Sequence, residues 1–585
     1  SPRFEEGDRW VAIGDSITHG RRYHSFVYLF HATRFPERPF RAFNCGISGD
    51  SAAGAVRRFE WDIAPHRPTV ATIMLGMNDV SRGLYAPGQS GEAVGQRRED
   101  AIRRHLEAMA QLSGKLRAQS CRLIFITPSI YDQTGDLPAE NRVGVNDALG
   151  RCGEGARKLA GEAGGAVIDL HGPMTALNAR LQQTNLAATL VGPDRVHPGD
   201  PGQLVMAYQI LKGMGVSGTV ASVGLDAAAG TVATQENCTI TGLRGRGAKL
   251  AFTVRANALP YPVLPAAEPA LQWVPFTEEL NREMLRVTGL PAGAYSVRID
   301  GQVVALASAD ELAAGVNLAA NPRSPMLRQA LKVLAVEEQR HAIAARMRTF
   351  AAQRHWLTRS HPDLDMDDFA AVKATLLADL EKKQGTSNYG YFRGQMDLYL
   401  TWKPREAELL RELEDHTTAI WQLNRPVPHH FEITPQTAAD RLELSGRIID
   451  EGEDTDSWRN TSWTDREPTL KVADGALVVT GVREAGHRDM LGLTKRVNID
   501  LAGVKALRIR YRADAGAPFG VEVVLDGQLT RLRSYEKATG EWEELALPLK
   551  AARLTGLTLI LAESGKDQVW PEEKVTYRFD RIWLE

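Results

Sequence analysis

Over roughly the first 216 residues, short apolar runs alternate with helical patterns. The runs are WVAI (10–13), FRAFNC (40–45), TVATIML (69–75), RLIFIT (122–127) and AVIDL (166–170). Between them, helical patterning is found near 24–34, 51–64, 97–118 and 141–163. Strands that are apolar throughout are covered on both faces, so this region predicts a three-layer α/β domain around a parallel sheet. From about 217 to 318 the runs VASVGL, CTITGL, KLAFTVRA and YSVRIDGQVVAL alternate in character, with Asp300-Gly301 as a hairpin turn. This predicts a small β-rich domain. From about 319 to 425 the spacing returns to three and four. Ser324-Pro325 reads as a cap followed by a first-turn proline, opening a helix through Leu357. A second helix is expected in 366–384 and a third within 395–420. These helices read as packing elements. Asn424-Arg-Pro-Val-Pro reads as a linker, and the evenly spaced short strands of 430–585 predict a β-sandwich.

Composition narrows the class without naming a function. The 585 residues are 43% hydrophobic and 24% charged, with a formal net charge of −2. These are ordinary values for a globular protein, and no field favours nucleic acid or an anionic membrane. No apolar run approaches the roughly 20 residues of a membrane span. The sequence starts at Ser1-Pro2, and we expect an exported protein whose leader is not visible. Cys45, Cys121, Cys152 and Cys238 have no metal-ligand spacing, and a Cys121–Cys152 disulfide stays open. No metal or cofactor is expected.

The chemistry lies where the strands end. Gly14-Asp15-Ser16 follows the first strand, Ser48-Gly49-Asp50 the second and Gly76-Met-Asn78-Asp79 the third; Asp194-Arg-Val-His197-Pro198 comes after the fifth and a helical stretch. In an open parallel sheet all these positions lie at one edge, where ligands bind. Taken singly, Ser16 is an ordinary helix cap, Gly46 and Gly49 are turn residues, and Asn78-Asp79 is a turn. Four polar clusters at one edge are harder to explain as turns. Of the 14 histidines, His197 alone has an aspartate three positions before it. Ser16 is not in a Gly-x-Ser-x-Gly elbow, because Thr18 holds the last position.

The blocks GDSIT, SGD, GMND and DRVHP, in this order, resemble those of the SGNH or GDSL hydrolases across about the first 216 residues. The resemblance implies a flavodoxin-like sheet and a serine esterase. It makes Ser16 the nucleophile, His197 its base and Asp194 the group that orients the imidazole. The backbone N–H groups of Ser16 and Gly49 and the side-chain amide of Asn78 would form the oxyanion hole. Activity is expected to fall on acidification as the base is protonated.

The substrate is read more loosely. His19, Tyr23, Arg82 and Tyr85 follow strand ends and are candidate substrate-binding residues. The last domain loosely resembles carbohydrate-binding sandwiches. Trp458, Trp463, Tyr535, Trp542 and Trp570 are aromatics suited to a sugar, although Trp542 and Trp583 also read as core. The leading expectation is an O-acetylesterase acting on an acylated carbohydrate. A lipase or thioesterase, an acyltransferase and a non-catalytic carbohydrate-binding surface protein stand beside it. Residues 217–425 could instead narrow the catalytic cleft and help select the substrate.

Overall fold

The strand β1 (Arg9–Gly14) lies inside the sheet, and the alternation of its side chains decides how both faces are covered. The computed structural model describes residues 3–20, 22–437, 440, 448–450, 452, 455–462, 467–483, 490–501, 504–563 and 573–585. The first domain runs β1, α1 (Ser16–His19), α2 (Tyr23–Arg34), β2 (Arg41–Gly46), α3 (Ala52–Arg58), β3 (Val70–Met74), α4 (Glu92–Ala118), β4 (Arg122–Ile126), α5 (Val145–Ala163), β5 (Ala166–Ile168), α6 (His171–Gln182) and α7 (Asp200–Gly213). The strands order as β2-β1-β3-β4-β5 with every neighbour parallel, the flavodoxin-like order. Val11 and Ile13 join Cys45, Ile73 and Phe125 in a core with α3, α4 and the end of α5. Trp10 and Ala12 point the other way, to a core with α2, α6 and α7.

Two elements depart from the sequence expectation. The helix expected over 51–64 stops at Arg58 and continues as a π turn, Phe59–Ile63, and a 3-10 turn, Ala64–His66, that contains Pro65. Helix α7 was not marked out by the pattern. In α7, Leu204, Val205, Met206, Ala207, Tyr208, Ile210 and Leu211 are all buried, so it has no polar face to mark its period.

By its contacts the chain divides into two units, residues 1–292 with 309–432, and residues 293–308 with 433–585. The region 217–318 is therefore not one domain. In the larger unit, β6 (Thr219–Asp226), β7 (Thr231–Glu236), β8 (Cys238–Arg246), β9 (Lys249–Ala256) and β10 (Arg282–Thr288) follow the parallel sheet. The strands β6 and β10 pair in parallel, and β8 and β9 form a hairpin. The hairpin Ala294–Ile299/Gln302–Ser308 belongs to the smaller unit, where Ala294 O accepts from Gln436 N (2.9 Å) and Arg298 pairs with Asp440 at 2.5 Å.

The helical region belongs to the larger unit. Its long helix Pro325–Ser360, called the strap helix below, has Ser324 as N-cap. Its buried side includes Glu337, Arg340, His341, Arg348 and His355 among its apolar residues. Ser25 on α2 donates to Glu337 (2.6 Å), which also holds Arg340. The covering of α2 leaves all of Tyr23–Arg34 buried.

The smaller unit holds two antiparallel sheets around one core. Trp458 is in that core, its Nε1 donating to Asp450 (2.8 Å). Trp542, read partly as core, is exposed instead, with Arg510 over its ring. Trp463 and Trp570 and the side chain of Tyr535 lie outside the described residues. All four cysteines are free and buried, so Cys121 and Cys152 are not bridged. Among the described residues no helix is long and apolar enough to cross a membrane.

Candidate active site

The register of the sheet gathers the polar loops. Gly14 at the end of β1 aligns with Gly46 on β2 and Met74 on β3, so the chain leaves three adjacent strands at one level. Ser16 opens α1, where the buried Asp15 accepts from Ile17 N (3.0 Å). Burial pushes the Asp15 carboxyl up to about 7. Ser16 Oγ lies 2.7 Å from His197 Nε2, and His197 Nδ1 lies 2.5 Å from Asp194 Oδ2. The other oxygen of Asp194 accepts from the backbone N–H groups of Val196 and His197, both at 3.1 Å. Burial works to raise the Asp194 carboxyl. The hydrogen bonds from His197 and the two backbone groups outweigh it and hold the carboxyl below its usual range.

Between those two residues, Arg195 has a left-handed φ of 69° and a buried side chain. Its guanidinium donates to the carbonyls of Asp132, Gly135, Leu137 and Ala139, pinning the loop that carries Asp194 and His197.

The loop after β2 is held from several sides. Gly46 allows a close crossing, because a methyl group there would meet His19 N at 2.4 Å. Gly49 has φ +77°, which disfavours other residues. Ser48 donates its N–H to His19 Nδ1 (3.0 Å). Asn78 Nδ2 donates to Asp50 O (2.8 Å), and Asp79 accepts from Ala52 N (2.9 Å), tying the loop after β3 to the start of α3.

Beneath this loop runs a buried chain of charges. Arg58 donates to Asp50 (2.8 Å), to Cys45 O (2.8 Å) and to Asp62. The π turn brings Asp62 between Arg58 and Arg348 of the strap helix. Arg348 makes two 2.6 Å bonds to Asp62 and a third, also 2.6 Å, to Gly46 O. Burial disfavours the Asp62 carboxylate, but Arg348 and then Arg58 overcome it and hold the group well below the usual range.

The four candidate substrate residues divide. His19 is buried, and burial, with Arg348 and Arg58, pushes its imidazole down to about 3. It is a neutral acceptor for the Ser48 loop, not a lining residue. Tyr23 has no exposed surface; its hydroxyl faces Thr18 Oγ1 (2.9 Å). Tyr85 is buried beneath Arg98. Arg82 alone reaches the constellation, donating to Asn78 Oδ1 at 3.4 Å. The sequence reading did not single out Arg58, Asp62, Arg195, Arg348 or Trp356. Only Asp62, four positions after Arg58, carried even a helical-spacing signal. Among the described residues no group of three or more His, Cys, Asp or Glu could hold a metal ion.

A flavodoxin-like sheet whose adjacent strand ends converge on a serine, a histidine and a chain of hydrogen-bond donors is the design of a hydrolase. The chain belongs to the GDSL-like lipase/acylhydrolase family, which residues 12–205 match. It is similar to the solved structure of BT4096, a gut microbial diltiazem-metabolizing enzyme, at 31% identity, 74% of this chain, 99% of that one and a TM-score of 0.68. It is also similar to an acetylxylan esterase from Geobacillus stearothermophilus, 26% identical over 230 residues, which are 36% of this chain and 96% of that protein.

Proposed function

We propose that the protein is a serine esterase that removes O-acetyl groups from a carbohydrate. The observation that carries this reading is the contact of Ser16 Oγ with His197 Nε2 at 2.7 Å, with Asp194 behind the imidazole. In the first step His197 Nε2 takes the Ser16 proton as Oγ attacks the ester carbonyl. The negative charge on the carbonyl oxygen is met by the N–H groups of Ser16 and Gly49 and by Asn78. Arg82 on the amide oxygen and Asp50 O on one amide proton set the Asn78 amide so that its second N–H is available to the oxyanion. His197 then gives its proton to the leaving alcohol oxygen, and an acetyl-serine remains. Water, deprotonated by the same imidazole, releases acetate and restores Ser16. Asp194, held ionised, stabilises the imidazolium in both halves.

The acetylxylan esterase relative supports a carbohydrate acetate as substrate. Trp542, open to solvent, is the aromatic we propose for sugar contact in the smaller unit. A second reading, a small-molecule ester substrate, is favoured by BT4096, because that similarity spans 74% of this chain against 36% for the esterase. Acetate release from acetylated xylo-oligosaccharide and turnover of diltiazem, measured side by side, separate the two. In either case S16A should lose at least about 10⁴-fold in kcat, and a fluorophosphonate should label the parent protein but not S16A. Full turnover by S16A would refute the site.

A further inference from the structure

The strap helix lies outside the segment that matches the hydrolase family, yet it reaches the rim of the site. Arg348 is bound to Gly46 O and Asp62, and two turns further on His355 lies 3.4 Å from Asp50. The next residue is Trp356. A methyl group on Gly49 would meet its Cζ2 at 3.3 Å and its Cη2 at 3.8 Å, so the benzo edge of the indole lies against the proposed oxyanion glycine. Despite this contact Trp356 is 38% exposed, among the more open large side chains of the chain. Arg359 lies 4.9 Å from the ring centroid and steadies it by a cation–π contact. An indole fixed at its edge and open elsewhere is a surface for another ring, since stacking and edge contacts add to simple burial of apolar area.

We infer that Trp356 is a specificity-determining wall of the active site, contacting the ring of the leaving alcohol. The inference rests on the esterase reading and deepens it. The side of the substrate follows from exposure. The small acyl group must reach Ser16, whereas a bulky alcohol can extend only towards solvent, and Trp356 stands at that opening. The alcohols favoured are those with a flat or flat-faced ring, such as an aromatic alcohol or the apolar face of a pyranose. The residue acts by binding this ring, so its effect falls on KM and on the choice between alcohols.

The test compares full-length parent, W356A and W356F on benzyl acetate and ethyl acetate, two alkyl acetates that differ in the ring. In W356A the ratio of kcat/KM for benzyl over ethyl acetate should fall about five- to tenfold, through the KM for benzyl acetate, and W356F should recover most of it. An acetylated methyl xyloside in place of benzyl acetate should give the same order of variants. An unchanged ratio, or an equal fall on both esters, would overturn the inference, the latter because it would reduce Trp356 to a support for Gly49. Failure of the esterase reading would look different: the parent would show no Ser16-dependent turnover of either acetate, and both proposals would be lost.

Discussion

Asn78 makes two hydrogen bonds that, in the proposed mechanism, decide which end of its amide faces the reacting carbonyl. Arg82 marks the oxygen and Asp50 O takes one proton. Replacing it by alanine should lower kcat by about 10²–10³, the usual effect of losing one oxyanion donor, with little change in KM; initial rates on an acetate ester check this. R82A should give a smaller loss in the same direction, because the donor remains but is less firmly oriented. The polar blocks themselves were legible in the chain, because Ser16, Gly49, Asn78, Asp194 and His197 each lie a few residues beyond a recognisable strand or beside a telling neighbour. Tyr23 and His19 were misread for the same reason. Proximity to a strand end says nothing about which way a side chain turns, and both turn inward. Arg195 lies inside the DRVHP block, but its role gave no signal, because its partners are backbone carbonyls whose positions no side-chain pattern records.

At the level of elements, the strap helix and the π turn work together. The π turn carries Asp62 to the point where Arg348 arrives, and Arg348 also holds the carbonyl of Gly46. R348M should therefore cost about 3 kcal/mol of stability, in the range for breaking a buried ion pair, since Asp62 keeps Arg58 as a partner. It should also lower kcat more than it raises KM; thermal melting and steady-state kinetics read the two effects. An exposed cap gives a simpler case. Asp368 accepts from Ala370 N (3.0 Å) and Ala371 N (3.1 Å), and D368A should lose about 1 kcal/mol with activity intact. The pattern located the strap helix from its start, because Ser324-Pro325 is a local signal. It could not reveal that the buried side carries Glu337, Arg348 and His355, since Ser25, Asp62 and Asp50, which they meet, lie about 300 positions away. The break at Arg58 was hidden because a single π turn of five residues, although its bonds run i→i+5, is too short to show as a change of period in the apolar pattern.

For the whole molecule, buried titratable groups set a dependence of stability on pH. Burial pushes His31, His66 and His355 down to about 4 and His19 to about 3. In the unfolded chain an imidazole takes its proton near pH 6.5. The unfolded state thus binds more protons between about pH 6.5 and 4, and stability falls as the pH drops through that window. Asp15 and Glu283 act oppositely: burial raises them to about 7 and about 8, so their contribution is lost as the pH rises from about 4 towards those values. The imidazoles outnumber the carboxyls on the acid side, and only the carboxyls act above 6.5. The melting temperature should peak at about pH 6–7 and decline on both sides; a profile flat from pH 4 to 8 would contradict this account. The division into units was the least legible feature. The smaller unit resumes at residue 433, but the hairpin 294–308 resembles its neighbours in pattern while belonging with residues more than a hundred positions later. That arrangement has a temporal consequence. A ribosome releases the hairpin, with Tyr295, Val297, Ile299 and Val303 buried in the finished protein, long before Gln436 and Asp440 exist to meet it. At about 5–20 residues per second the wait across 309–432 is roughly 6–25 s. A gene stopped at residue 432 would make that wait permanent, and its product should aggregate unless the hairpin is also replaced by a short polar loop.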